Sequence, residues 1–97
     1  MIDIVEVKPL GDKKLLVKFE NYKEQCVVDM NDFLKSWNDF YLVKELEDEN
    51  KFQDFKLDHG AIVWANGFDI APEYLFFLAH QHDTQYISLF RQWGYIK

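Results

Sequence analysis

The sequence predicts an α+β domain built on an antiparallel sheet of about five strands, two hairpins plus an N-terminal strand, and three observations lead to it. Residues 14–20 alternate, with Leu15, Val17 and Phe19 on one face and Leu16, Lys18 and Glu20 on the other, the period of a half-buried strand. The strand-like runs are joined by connections so short that they link antiparallel neighbours. Beyond Asn66-Gly67 the pattern changes to a helix start at Pro72 and the apolar run 74–79, so helix is layered on sheet.

Residues 2–8 are rich in β-branched side chains and are expected to end as a strand at Pro9, with Gly11-Asp12 turning the chain. The second strand is 14–20, and Asn21-Tyr22-Lys23 leads into a return arm over 24–29. Asn31 or Asp32 is expected to cap a short middle helix of about two turns through Phe33, Leu34 and Trp37. Residues 38–51 lack a clean period and read as a loop with a helical turn near 48–52. A second hairpin follows, 55–58 and 61–65 around His59-Gly60.

Ile70 and Leu75 occupy the two positions of a hydrophobic staple around Pro72. The helix from Pro72 to about Gln81 leaves almost no polar face, although a helix covering a sheet needs only an apolar stripe. Its other side therefore calls for cover. Tyr86, Leu89, Phe90 and Trp93 recur at helical spacing up to Gly94, which suits a helix terminus. The chain divides on this reading into a core, 1–82, and a C-terminal helical extension, 83–97, that packs on the core or on a second copy.

A chain of 97 residues supports one hydrophobic core. With 48% hydrophobic and 18% aromatic residues it has ample apolar surface to bury. Cys26 is the sole cysteine, which rules out an intrachain disulfide, and its neighbours Gln25 and Val27 do not activate it. No apolar run reaches membrane-spanning length, and Asp3 and Glu6 stand where a signal peptide is basic and then apolar, so the cytoplasm is the expected compartment. The net charge of −6 is uneven: residues 1–23 hold five Lys and four acids, residues 24–97 six basic and thirteen acidic side chains. With Arg91 as the single arginine, direct nucleic-acid binding is disfavoured and a basic protein partner is favoured.

His80, His82 and Asp83 form the cluster nearest to metal chemistry, but helical residues two apart point about 200° apart, so no metal is assigned and the histidines suit a helix C-terminus. Ser36, Ser88 and Thr84 lack a nucleophile elbow. Gly11, Gly60, Gly67 and Gly94 are isolated turn residues rather than a phosphate loop. The pairs Asp29 with Asp32 and Asp69 with Glu73 fit helix starts better than acid–base work. No catalytic residue and no cofactor is assigned, and an enzyme ranks behind two binding functions. Binding candidates are the acidic run Glu45, Glu47, Asp48 and Glu49, and the loop residues Trp64, Asn66 and Asp69. Phe76, Phe77, Tyr86, Phe90 and Trp93 are candidates for packing or self-association, as in a homodimer.

Three stretches, 4–19, 52–57 and 62–75, resemble a family of small bacterial proteins, the domain-of-unknown-function family numbered 2442. The most specific is the third, where Trp64, Asn66, Gly67, Asp69, Pro72 and Leu75 match its W-x-N-G-x-D-x-x-P-x-x-L signature. The resemblance spans about residues 2–78 and leaves the tail outside. It implies a compact α+β fold and no catalytic residues. Members are often encoded beside a suspected toxin, which implies an antitoxin-like binding role. The expected function is thus a non-enzymatic protein-interaction module for a small basic protein; the alternative is a small-ligand or regulatory sensor with its pocket beside residues 64–69.

Overall fold

The computed structural model describes residues 2–97, so Met1 lies outside the described residues. Strands β1 (Ile4–Gly11), β2 (Lys14–Phe19) and β3 (Cys26–Asp29) form one antiparallel sheet in that order. Three short helices follow, α1 (Asn31–Ser36), α2 (Tyr41–Glu45) and α3 (Glu49–Phe52). Strands β4 (Phe55–Asp58), β5 (Ala61–Trp64) and β6 (Asp69–Ile70) make the second antiparallel sheet, and α4 (Pro72–His80), a 3-10 turn at Thr84–Tyr86 and α5 (Ile87–Trp93) complete the chain.

The expected single five-stranded sheet is therefore two three-stranded sheets. The three helices carry the chain from one to the other, and where the sheets meet, the Ile4 N–H donates to the Gly60 carbonyl at 2.9 Å. The sixth strand comes from the Asn66-Gly67 turn, which folds Asp69 and Ile70 back beside Val63 and Ile62 instead of leading straight into the helix.

Four local expectations change as well. Strand β1 runs through Pro9, which pairs with Leu15. Because β1 is an edge strand, the N–H that Pro9 lacks costs the sheet no ladder bond. The tight turn is Asp12-Lys13, both at positive φ. Neither Asn31 nor Asp32 caps α1: Met30 holds that position, while the Asn31 amide donates to the Asp12 carbonyl and to Asp29. Residues 41–45, read as loop, form α2.

One core spans both sheets. Leu15, Val17, Phe19 and Val28 from the first sheet meet Ile62, Trp64 and Ile70 from the second, with Leu34, Val43, Phe52, Leu75, Phe76 and Phe90 from the helices. The alternation of β2 is fully expressed, its three inward residues being at most 1% exposed. Pro72 opens α4 with Ile70 and Leu75 both in the core, and Gly94 at φ +85° ends α5.

Candidate functional site

The signature motif begins with a residue whose side chain packs in the core. Trp64 ends β5 opposite Phe55, and its indole N–H donates to the Phe52 carbonyl at 2.6 Å. Its ring lies 5.9 Å from those of Phe52 and Phe55 and 5.6 Å from that of Phe68. At 2% exposure, Trp64 is a bolt between α3 and the second sheet.

Asn66 organises the loop that follows. The Gly67 N–H donates to the Trp64 carbonyl and the Trp64 N–H to the Phe68 carbonyl, closing a three-residue hairpin loop with Gly67 at φ +93°. That left-handed position belongs to glycine. The Asn66 Oδ1 accepts the Phe68 N–H at 3.0 Å, while its Nδ2 donates to the Leu42 carbonyl at 3.0 Å and to Glu45 Oε1 at 2.9 Å. One amide thus joins the motif loop to α2 and to the first carboxylate of the acidic run.

The rest of that run disperses. Asp48 caps α3 by accepting the Asn50 and Lys51 N–H groups. Glu49 reaches back to the β1–β2 turn, where it accepts the Lys13 N–H and pairs with the Lys13 ammonium at 3.2 Å. Burial pushes the Glu49 carboxyl up, but hydrogen bonds from Gln53 and Lys13 and the Lys13 charge outweigh it and hold it below the ordinary value. Glu47 is exposed and borders a shallow groove with Lys13, Asn31, Leu34 and Lys35. Asp69 is exposed beside Val63 on β6, away from the cluster that Asn66 holds together.

Glu45 and Asn66 share a hollow of about 250 Å³ with Leu46, Lys51, Asp54 and Ala65. Two carboxylates, Glu45 and Asp54, thus outnumber the one ammonium, Lys51, around the apolar Leu46 and Ala65. A lysine or arginine side chain has this amphipathic form, an apolar stem with a charged head.

The residues considered for self-association pack on one another within the chain. Phe76 and Phe90 are 0% and 1% exposed, and the Phe77 ring meets that of Phe90 edge-on at 5.0 Å. Tyr86 and Trp93 lie 5.1 and 6.2 Å from Phe76. The tail thus covers α4. Where it crosses the end of α4, a groove of about 400 Å³ contains Tyr22, Cys26, His80, Asp83 and Tyr86. Burial pushes both the Cys26 thiol and the Tyr86 phenol up, which keeps them protonated. His80 Nδ1 is 3.0 Å from the Phe76 carbonyl, and among the described residues no three His, Cys, Asp or Glu side chains converge on a metal position.

Sequence reasoning missed one feature, the exposed aromatics Trp37, Phe40 and Tyr41. Trp37 sat on the apolar stripe of a helix that in fact ends one residue earlier. Phe40 and Tyr41 lay in a stretch without period. The only signal available was the density of aromatics itself.

Among the described residues no helix is long and apolar enough to cross a membrane. Neither a curated protein nor a solved structure matches the chain. The family model described as "Protein of unknown function (DUF2442)" matches residues 4–81, which takes in both sheets and α4, and the chain belongs to that family.

Proposed function

We propose that this protein is an interaction module that binds a basic protein partner through the acidic segment 31–54. The carrying observation is the hollow over which Glu45 and Asp54 stand, held against the motif loop by the Asn66 amide. Segment 31–54 holds seven carboxylates against three lysines, so a partner's lysine or arginine meets favourable charge before contact and an apolar lining on contact. An antitoxin-like role, with a small basic toxin as the partner, is the specific form of this reading that family membership suggests. Co-expression with the product of the adjacent gene tests it: co-purification and micromolar binding that weakens with salt are expected, and no association at micromolar concentration would sink it.

A second reading has its own observation. An open hollow of about 390 Å³ lies beside the motif loop, lined by Phe55, Lys56, Val63, Trp64, Ala65, Gly67 and Asp54, which it shares with the first hollow. On that reading the module is a small-ligand sensor. Thermal shift across a metabolite panel separates the two, because a ligand bound only by the folded state raises the midpoint by mass action.

A further inference from the structure

Trp37, Phe40 and Tyr41 are 55%, 45% and 68% exposed within a window of five residues. Exposed apolar side chains are normally scattered singly; contiguous ones mark surfaces that meet something. Here they are contiguous through shared rings. Trp37 lies 6.4 Å from Phe33, Phe33 6.2 Å from Phe68, Phe68 6.2 Å from Phe40, and Phe40 5.7 Å from Tyr41. Phe33 and Phe68 are half-buried and pack on the core, so they form the floor on which the three exposed rings stand. Phe68 belongs to the signature loop, where the Asn66 side chain holds its N–H.

The patch is held in shape before anything binds. The Trp37 N–H donates to the Phe33 carbonyl at 3.1 Å, the Phe40 N–H to the Trp37 carbonyl at 3.1 Å, and the Val43 N–H to the Phe40 carbonyl at 3.0 Å. A preorganised aromatic surface loses little freedom on binding, and tryptophan and tyrosine are the side chains that most often dominate an interface.

Charge selects the occupant. Asp32 on α1 and Asp39 immediately before Phe40 are exposed, as are Lys35 and Lys44, and the segment 31–54 that carries the three rings is acidic as a whole, with seven carboxylates against three lysines. A second copy would bring the same net-negative segment against this one, which disfavours self-association through this face. A guanidinium matches it, since the planar cation stacks on aromatic faces and pairs in two-pronged fashion with carboxylates. We propose that Trp37, Phe40 and Tyr41 form the docking face for an arginine-bearing segment of the basic partner. This rests on the reading above and adds to it the anchor residues and a preference for arginine over lysine.

The test uses the full chain, with nona-arginine, nona-lysine and nona-glutamate peptides as probes, followed by calorimetry and by tryptophan fluorescence. Nona-arginine is expected to bind more tightly than nona-lysine, and Trp37→Ala with Tyr41→Ala to weaken it about tenfold. Both side chains are exposed, and unchanged circular dichroism checks that the variant folds. Trp37→Phe keeps a ring and is expected to retain most of the affinity. If neither basic peptide binds, the basic-partner reading falls and this inference with it. If both bind, and the aromatic variant binds as tightly as the parent while Glu45→Gln with Asp54→Asn does not, the reading stands and the aromatic face is overturned. Concentration-dependent dimers in light scattering that Trp37→Ala disperses, without peptide binding, would assign the face to a second copy and also overturn it.

Discussion

The indole N–H of Trp64 and the carbonyl of Phe52 lie 2.6 Å apart, buried. A change at Trp64 therefore acts on α3 and on the second sheet together. Trp64→Phe keeps most of the ring volume but strands the Phe52 carbonyl, at an expected cost of about 1–3 kcal/mol. Trp64→Ala adds a cavity and should cost about 3–5 kcal/mol. Urea denaturation of both variants checks the order, and a Trp64→Phe variant as stable as the parent would show that the hydrogen bond contributes nothing.

Asn66→Ala removes the donor to Leu42 and Glu45 and the acceptor for Phe68. An expected loss of about 1–2 kcal/mol follows from those unmade bonds. Hydrogen exchange gives the sharper readout, since protection should fall in residues 41–46 and 64–68 together. A loss confined to the loop would show that α2 stands without it.

Gly60 and Gly67 both sit at positive φ, but only Gly60 is crowded: a Cβ there would lie 2.6 Å from the Asp3 Cγ, whereas Gly67 faces open space. Gly67→Ala should cost about 1 kcal/mol from backbone strain alone. Gly60→Ala should cost more, because the Asp3 side chain must also move. Thermal melts rank the two, and the reverse order would contradict the described approach of Asp3.

These positions show what local sequence encodes and what it does not. The inward face of β2 was legible because alternation is a local property and Leu15, Val17 and Phe19 needed no partner to be recognised. Asn66-Gly67 was legible as a turn for the same reason. Whether the two hairpins share a sheet depends on where Ile4 meets Gly60, far apart in sequence. Helix α2 has no capping side chain of its own, and its Leu42 carbonyl finds Asn66 from a distant loop. Asn31 looked like a cap because asparagine caps helices; the Asp12 carbonyl, brought close by the β1–β2 turn, takes its amide instead. The acidic run read as one patch because its residues are consecutive, yet Asp48 and Glu49 are committed to a cap and a long-range bridge. The exposure of Trp37 depends on the absence of a tertiary partner, which no window of sequence contains.

Phe90 lies beyond the family-matched residues, yet it is 1% exposed and belongs to the common core. Phe90→Ala should cost about 3–5 kcal/mol. Ile87→Ala, at the exposed rim of the same helix, should stay within about 0.5 kcal/mol. A mild Phe90→Ala would show that the extension packs only loosely.

Three carboxylates are held below their ordinary values, Asp83 by hydrogen bonds from Gln85, and Asp29 and Glu49 by contacts that tie separate elements together. The backbone N–H of Asn31, with its side-chain amide and the nearby Lys14 and Lys35 charges, holds Asp29 below its ordinary value despite some desolvation. Glu49 is held low by Gln53 and Lys13 against its own desolvation. A carboxyl with a lower pKa folded than unfolded contributes its stability fully above the unfolded value, about 4, and loses it as pH falls through the folded value. The melting temperature should fall steadily below about pH 4, and Asp29→Asn with Glu49→Gln should flatten that acid limb. An unchanged slope would rule these two groups out as its source.

The bond from Ile4 to Gly60 also sets a schedule. During synthesis all three strands of the first sheet are made before the carbonyl that meets its first strand. Until it arrives, Ile4 presents an unpaired strand end beside Val5, itself 46% exposed. Such an edge invites pairing with another nascent chain. Pro9, on the same edge, sits where it breaks the template such pairing needs.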